Sequence, residues 1–356
     1  MNKNNYAVIM AGGIGSRFWP ISTSETPKQF HDMLGAGVSL IQKTFARLES
    51  LVPSENVIIA TNGKYKDIVL RQLPSISENQ LFLEPAMRNT APCILATALK
   101  VHSQNPDGVM IIAPSDHWIE DEEEFIRNIQ TSYDACNEAE ILMTLGIKPN
   151  SPNTGYGYIQ FNEETSEIKK VKQFTEKPNI EKAKEFLAQG DYLWNAGIFV
   201  WSAKSIIKAF QDHLPEMYAL FQEGESTWNT DKEQAFVDAN YAKAQNISID
   251  FGIIEKANNV HVLPVEFGWN DLGTWGSLYD KKAESKSENV TIGGEAIYRE
   301  SEGNIVKTQS HKKVVIQGLS NFIVAEKDGV LLICPKENEQ EIKEIAAQAK
   351  DQFGEI

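Results

Sequence analysis

The sequence of 356 residues contains only three cysteines, Cys93, Cys136 and Cys334, and none of them has a second cysteine or a histidine close by in the chain. This spacing disfavours both a zinc site and a disulfide framework, and it suits a reducing compartment. The sequence also lacks any apolar run near the roughly 20 residues that cross a bilayer. We therefore predict a cytoplasmic protein that has no membrane partner.

Basic residues are also in short supply, with 34 Lys and Arg against 49 Asp and Glu, for a net charge of −15. A chain this negative is not expected to bind nucleic acid or an anionic membrane non-specifically. A phosphate-bearing substrate would have to be held by local cations or by a metal ion. The length exceeds that of a usual single core, and the composition changes after Tyr279. We predict two domains, at residues 1–285 and 286–356.

Short apolar runs alternate with helical patterns through the first half of the chain. The runs predict buried strands at residues 6–10, 57–61, 80–83 and 109–113, with helices between them. This alternation predicts an α/β fold with a mostly parallel sheet and helices on both faces. Ligands of such sheets gather at the carboxyl ends of the strands.

Two later stretches have a different character. Residues 214–241 are helical but polar, so we expect a solvent-facing cover with little chemistry. Short β-branched runs begin near residue 290 and predict a small all-β unit. A polar helix at residues 337–353 is predicted to close the chain.

A glycine loop, Ala11-Gly12-Gly13-Ile14-Gly15-Ser16-Arg17, follows the first predicted strand, and Lys28 comes shortly after it. Glycines allow backbone N–H groups to approach a polyphosphate, Arg17 can fork onto phosphate oxygens, and Lys28 adds a point charge. A Walker loop would place Lys and Ser or Thr after the last glycine, and a dinucleotide fingerprint would place glycine where Phe18 stands. The loop therefore predicts a nucleoside triphosphate site, with a plain strand-to-helix turn as the alternative.

These motifs resemble the signature of the sugar-1-phosphate nucleotidylyltransferases. The continuations Phe18-Trp19-Pro20-Ile21-Ser22 and Pro27-Lys28-Gln29-Phe30 resemble the mannose-1-phosphate guanylyltransferase branch. The resemblance implies a Rossmann-like nucleotidyltransferase sheet, a short C-terminal tail like a left-handed β-helix, and a homodimer. It also implies a Mg²⁺-dependent reaction of GTP with mannose 1-phosphate that yields GDP-mannose and diphosphate.

Glu84, Asn89 and Thr90 lie where a predicted strand gives way to a helix. Helix capping alone would explain Asn89 or Thr90. In the family that the chain resembles, a similar segment lines the base. The resemblance therefore makes Glu84 and Asn89 candidates for guanine recognition and Thr90 a candidate for nucleotide binding.

Asp116 and Asp271 are the predicted metal ligands. Ser115 and Asp116 end a buried strand, and a carboxylate there suits Mg²⁺, although Asp116 could instead cap the helix that follows. Asp271 lies among aromatic residues and glycines, where an unpaired carboxylate is costly to bury. By resemblance, Asp271 is the second Mg²⁺ carboxylate, and Ser115 contributes to the nucleotide site.

The candidate sugar-phosphate residues are Gly155, Glu176, Lys177, Asn195 and Asp250. On chemistry alone, the glycine could mark a strand bulge, the charged pair could be ordinary surface, and the amide could be structural. The resemblance assigns Gly155 and Glu176 to the sugar, Lys177 to its phosphate, and Asp250 to the closing of the sugar pocket. Asn195 is then a reader of sugar hydroxyls, which both donate and accept hydrogen bonds.

We expect Arg17, Lys28, Asp116 and Lys177 to carry catalysis through positioning and electrostatics. A general base is not required, because a sugar phosphate is already largely ionised at neutral pH. Two alternatives remain: transfer to another hexose or heptose 1-phosphate or from another nucleotide, and a catalytically silent regulatory subunit that binds a nucleotide sugar. The presence of both cations and both carboxylates disfavours the silent subunit.

Overall fold

The computed structural model describes residues 1–354. The chain divides into two compact units, each assembled from separate stretches of sequence. Unit 1 consists of Met1–Gly12, Phe45–Pro114 and Ile119–Trp269, and unit 2 consists of Gly13–Thr44, Ser115–Trp118 and the chain from Asn270 onward. The predicted domain boundary near residue 285 divides the sequence at one point, whereas each compact unit combines several stretches. The boundary therefore stays a prediction.

Unit 1 is built on a nine-stranded sheet with the order β3-β2-β1-β4-β8-β5-β9-β7-β6. Strands β1 to β4 pair in parallel, as do β5 and β9, whereas β8 is antiparallel to β4 and β5, and β7 is antiparallel to β6 and β9. The predicted α/β fold is therefore confirmed, but the sheet is mixed rather than mostly parallel, because every pair that β7 or β8 makes is antiparallel. The strands are β1 (Asn5–Met10), β2 (Val57–Asn62), β3 (Leu81–Glu84), β4 (Val109–Pro114), β5 (Leu142–Ile147), β6 (Tyr158–Phe161), β7 (Lys169–Thr175), β8 (Tyr192–Ser202) and β9 (Val260–Val265).

Unit 1 also contains helices, several of which contribute buried side chains to its main hydrophobic core. They are α2 (Lys66–Gln72), α3 (Thr90–Gln104), α4 (Glu122–Glu138), α5 (Ile180–Gln189), α6 (Ala203–His213), α7 (Pro215–Gln222) and α8 (Glu233–Asn240), while α1 (Leu40–Glu49) begins in unit 2 and ends in unit 1. The expectation that residues 214–241 form a polar cover is wrong, because Phe221, Trp228 and Tyr241 are buried in this core. The segment is broken into short helical pieces, so its apolar residues follow no single period.

Unit 2 contains a four-stranded sheet of order β10-β12-β14-β15 and a two-stranded sheet of β11 and β13. Strands β10, β12 and β14 pair in parallel, and Ile305 lies between Val290 and Ile323. This stacking of short parallel strands confirms the predicted β-rich C-terminal unit. The elements are β10 (Val290–Ile292), β11 (Glu295–Arg299), β12 (Ile305–Lys307), β13 (Lys313–Gln317), β14 (Phe322–Lys327), β15 (Val330–Pro335), α9 (Trp275–Lys282) and α10 (Ile342–Phe353).

The register of the parallel strands brings their carboxyl ends to one edge of the unit 1 sheet. Met10 pairs with Ala60 and with Pro114, and Asn62 pairs with Glu84. The start of the glycine loop and Glu84 therefore lie at the same edge. Within residues 1–354, no helix is both long enough and apolar enough to span a membrane.

Candidate active site

Lys28 is the centre of a polar cluster in unit 2. It opens a short 3-10 helix, Lys28–Phe30, and only 3% of its surface is exposed. Its Nζ lies 2.7 Å from Asp116 Oδ2 and donates hydrogen bonds to the backbone oxygens of Asp271 (3.1 Å) and Leu272 (2.9 Å). A buried ammonium with this set of oxygen partners is a fixed positive charge rather than a mobile surface cation.

A backbone bridge brings the two predicted metal carboxylates onto neighbouring segments. The Trp118 N–H donates to the Asn270 oxygen at 2.8 Å, and the Asn270 N–H donates back to the Trp118 oxygen at 3.0 Å. Asp116 precedes one side of this antiparallel bridge, and Asp271 follows the other. Leu272, at φ +45°, has a backbone conformation that is unfavourable for a bulky residue. Two hydrogen bonds stabilise this conformation: the Leu272 N–H donates to Asn270 Oδ1 at 2.7 Å, and the Leu272 carbonyl accepts from Lys28.

Asp116 remains ionised in this cluster. Burial acts to raise the pKa of its carboxyl group, but the Lys28 ammonium and His117 outweigh burial and hold that pKa below its usual value. The alternative role of Asp116 as a helix cap is wrong, because the cap of α4 is Asp121, whose side chain accepts from the Glu124 N–H at 2.9 Å.

The donor set of Asp116 and Asp271 fits Mg²⁺. Mg²⁺ commonly binds one or two carboxylates and completes its octahedron with water and substrate phosphates. In the part of the chain that the structure describes, no group of three or more His, Cys, Asp or Glu is arranged to hold a metal ion. A metal at this position would therefore depend on phosphate oxygens of a substrate for its remaining ligands.

The part of the glycine loop that belongs to unit 2 starts at Gly13 and packs against Lys28 through Gly15. Gly15 has φ +73°, and a Cβ at this position would lie 2.5 Å from Lys28 Cβ, so only glycine allows this approach. Gly13 has open space where a Cβ would be, which leaves its backbone accessible. Ser16 opens the short helix Ser16–Phe18 that carries Arg17.

Two further contacts of unit 2 concern predicted residues. Arg17 Nε donates to Gln340 Oε1 at 2.9 Å, a partner that the sequence did not indicate. The Ser115 carbonyl accepts from the Thr44 hydroxyl at 3.2 Å, and Ser115 is buried. Ser115 thus anchors the backbone that presents Asp116.

In unit 1, Ala11, Gly12 and Glu84 lie together at the strand ends. The Thr61 hydroxyl donates to the Ala11 carbonyl at 2.8 Å, and a Cβ on Gly12 would lie 3.3 Å from Glu84 Oε2. The Glu84 carboxylate accepts a hydrogen bond from the phenol of Tyr241. Burial raises the pKa of Glu84, and the Tyr241 bond offsets part of that rise. Tyr241 was missed because it falls in the segment predicted to be a polar cover.

Helix capping does not account for Asn89 and Thr90. Asn89 is at the N-cap position of α3 with φ +62°, and its side chain makes no capping hydrogen bond to the residues described. The Thr90 hydroxyl accepts from the Ile249 N–H at 2.8 Å instead of serving its own helix. Thr90 therefore ties the start of α3 to the segment that carries Asp250.

Asn195 and Asp250 are joined directly in unit 1. Asn195 Nδ2 donates to Asp250 Oδ1 at 3.0 Å, while Asn195 Oδ1 accepts from the Thr144 hydroxyl at 2.9 Å and from the Gly197 N–H at 3.1 Å. This network fixes the orientation of the amide. The network also holds the carboxylate of Asp250. Asp250 is the first residue of a single π-helical turn, Asp250–Ile254.

The Glu176–Lys177 pair is asymmetric in its exposure. Lys177 Nζ lies 2.8 Å from Glu176 Oε1, and the side chains are 62% and 9% exposed, respectively. A Cβ on Gly157, two residues after Gly155, would lie 2.5 Å from Glu176 Oε2, so Gly157 is the glycine that permits a close approach to Glu176. Gly155 is exposed, and its N–H donates to Asn153 Oδ1 at 2.8 Å.

Asp250 gives unit 1 a testable pH dependence. Burial, followed by the nearby Glu176 carboxylate, raises the pKa of Asp250 from 3.8 to about 6. The folded state therefore binds the proton of the Asp250 carboxyl group more tightly than the unfolded state does. This difference stabilises the folded state fully below about pH 4, and the stabilisation is lost as the pH rises through about 6. A shift of this size corresponds to about 3 kcal/mol, or roughly 5 °C in thermal midpoint for a chain this long.

We therefore expect the thermal midpoint of the wild type, relative to that of Asp250→Asn, to fall by several degrees between pH 4 and pH 7. The amide keeps an oxygen for Asn195 but does not titrate. Differential scanning calorimetry of the two proteins across this range measures the effect. A constant difference between the two midpoints would show that Asp250 titrates normally.

Comparison with known proteins places these residues in a family. The family model described as nucleotidyl transferase matches residues 6–288, and the model described as MannoseP isomerase/GMP-like beta-helix domain matches residues 294–348. A mannose-1-phosphate guanylyltransferase of Escherichia coli is 33% identical over 348 residues, which are 95% of this chain and 74% of that protein. The alginate biosynthesis protein AlgA of Pseudomonas syringae pv. tomato is 33% identical over 97% of this chain and 72% of its own length.

A solved structure matches nearly the full length of this chain. The crystal structure of mannose-1-phosphate geranyltransferase from Thermus thermophilus superposes with a TM-score of 0.89 at 30% sequence identity. The match covers 98% of this chain and 99% of that one. The likeness therefore extends over both compact units.

Proposed function

Because this chain belongs to the nucleotidyl transferase family, we propose that it is a mannose-1-phosphate guanylyltransferase, converting GTP and mannose 1-phosphate to GDP-mannose and diphosphate. A phosphate oxygen of mannose 1-phosphate attacks the α-phosphorus of GTP in line, and diphosphate leaves. The sequence likeness to guanylyltransferases over 95% of the chain supports this choice of substrates.

The residues of unit 2 act on the triphosphate. Gly13, Gly15 and Ser16 offer backbone N–H groups to phosphate oxygens, and Arg17 presents a planar fork to them. Lys28 is held in place before the substrate arrives, so its charge needs no reorganisation during the reaction. The pair of buried Lys28 and partly exposed Asp116, 2.7 Å apart, is the observation that carries this assignment.

Asp116 and Asp271 would hold Mg²⁺, with Ser115 as part of the same nucleotide-binding segment. When bound, the ion supplies Lewis-acid stabilisation of charge on the phosphates. Asp116 is suited to this task because Lys28 keeps it ionised. The Asp271 carboxylate keeps its orientation through the Gly273 N–H, which donates to Oδ1 at 3.0 Å.

The residues of unit 1 select the base and the sugar. Glu84 and Asn89 would read guanine, since a carboxylate can accept from both N1–H and the N2 amine, and Ala11, Gly12 and Thr90 support that segment. Glu176, Asn195 and Asp250, with Gly155, would bind sugar hydroxyls. Lys177, whose ammonium is largely exposed, would align the phosphate of the nucleophile.

The proposed enzyme works as a homodimer in the cytoplasm. Its chemistry is tested by ³¹P nuclear magnetic resonance of the purified protein with Mg²⁺, GTP and mannose 1-phosphate. We expect the resonances of GDP-mannose and diphosphate to grow in equal amounts as both substrates disappear. Release of orthophosphate with GDP, without a sugar nucleotide, would contradict the proposed transfer.

A further inference from the structure

A short 3-10 helix near the C-terminus, Lys336–Glu341, contacts two segments of unit 2 that carry candidate catalytic residues. Gln340 Oε1 accepts from Arg17 Nε at 2.9 Å, and Glu339 Oε2 accepts from the Gly276 N–H at 2.7 Å. Arg17 belongs to the glycine loop, and Gly276 lies in the first turn of α9. That turn follows directly on the segment that carries Asp271 and Leu272.

The contact with Gln340 constrains the guanidinium of Arg17. A guanidinium is planar and has five N–H donors, so one bond at Nε fixes the rotation of the plane and leaves the Nη groups for phosphate. Arg17 is only partly buried. An unrestrained arginine side chain carries about 2 kcal/mol of rotamer entropy, which binding would otherwise have to overcome.

The neighbours of Gln340 connect its segment to the rest of unit 2. Gln340 is exposed, and its Nε2 makes a long contact of 3.5 Å with Glu339 Oε1, which is compatible with an amide oxygen facing Arg17. The other Glu339 oxygen binds at the amino end of α9, where a negative charge is favourable. Ile342 follows immediately, is fully buried, and lies in one hydrophobic cluster with Phe18 and Trp275.

We infer that Gln340 is a positioning residue for Arg17, and that the segment Lys336–Glu341 orients the triphosphate-binding fork through it. The inference rests on the proposed function, which gives Arg17 its role on GTP. The inference adds a residue to the nucleotide site that the glycine-loop motif does not contain. Gln340 lies 323 residues from Arg17 in the chain.

The test is steady-state kinetics of Gln340→Ala and Gln340→Glu with GTP and mannose 1-phosphate. Gln340→Ala removes a hydrogen bond to a charged group. We therefore expect the KM for GTP to rise about tenfold in this variant. The KM for mannose 1-phosphate should change less than about twofold, because Arg17 acts on the nucleotide. Gln340→Glu keeps an acceptor oxygen and should restore the GTP KM to within a few-fold of the wild type.

Asn338→Ala is the matched control, since Asn338 lies in the same 3-10 helix and its side chain donates to Glu341 Oε1 instead. It should leave the GTP KM unchanged, and thermal midpoints of all variants report on folding. GTP binding measured by calorimetry without sugar phosphate gives a readout independent of turnover, and it should weaken about tenfold in Gln340→Ala.

Wild-type affinity and KM for GTP in Gln340→Ala would overturn the inference and leave the proposed function intact. A wild type that binds GTP without transferring it to mannose 1-phosphate would overturn the proposed function instead.

Discussion

Replacing Lys28 with methionine should lower kcat/KM about a thousandfold, the larger end of what is lost when one preorganised donor at a developing charge is removed. Methionine has a similar length and fits a site that is 3% exposed. It cannot, however, supply the charge that lies 2.7 Å from Asp116 or donate to the carbonyls of Asp271 and Leu272. Pyrophosphate release under saturating and limiting GTP measures the loss.

Lys313→Met serves as the matched control for this variant. Lys313 is exposed and pairs with Glu295 on the surface of the C-terminal unit, where an ion pair contributes little. This control should retain wild-type turnover, and the thermal midpoint of Lys28→Met shows whether the fold survives. If folded Lys28→Met kept more than a tenth of wild-type kcat/KM, Lys28 would have a structural role only.

Replacing Asp271 with asparagine should lower turnover about a hundredfold at low Mg²⁺, with partial recovery as Mg²⁺ is raised. The substitution removes the charge but keeps an oxygen that can accept from the Gly273 N–H. The fold of the segment should therefore persist while the metal affinity falls. A Mg²⁺ titration of initial rates at fixed GTP measures the effect.

Asp280→Asn is a suitable comparison, because Asp280 is an exposed carboxylate on α9, a short distance along the same segment. It should follow the wild-type Mg²⁺ curve. Identical curves for Asp271→Asn and the wild type would remove Asp271 from the proposed metal site.

The features that the sequence predicted well are local ones. The glycine loop follows β1, Glu84 ends β3, and Asp116 comes two residues after β4, and continuous apolar runs form all three strands. Because parallel strands end at a common edge, the position of a motif in the sequence translates into a position in the fold. Asp116 and Asp271, by contrast, were paired only by family resemblance, since nothing local predicts the bridge between Trp118 and Asn270.

The residues missed by sequence reasoning act over long distances in the chain. Tyr241 lies 157 residues from its partner Glu84, in a segment whose apolar residues follow no clear helical period. Gln340 lies in the polar run Lys336–Glu341, which by composition is indistinguishable from an ordinary solvated surface. Glu84 and Arg17 could be found from motifs, whereas the side chains that hold them depend on tertiary contacts.

The most direct test of the proposed function is the initial rate of pyrophosphate release by the purified protein with Mg²⁺. GTP, ATP, UTP, CTP and dTTP are each combined with mannose 1-phosphate and with glucose 1-phosphate. We expect fast release with GTP and mannose 1-phosphate, and much slower release with every other pair. Equal or faster release with another pair, or no release with any pair, would contradict the assignment as a mannose-1-phosphate guanylyltransferase.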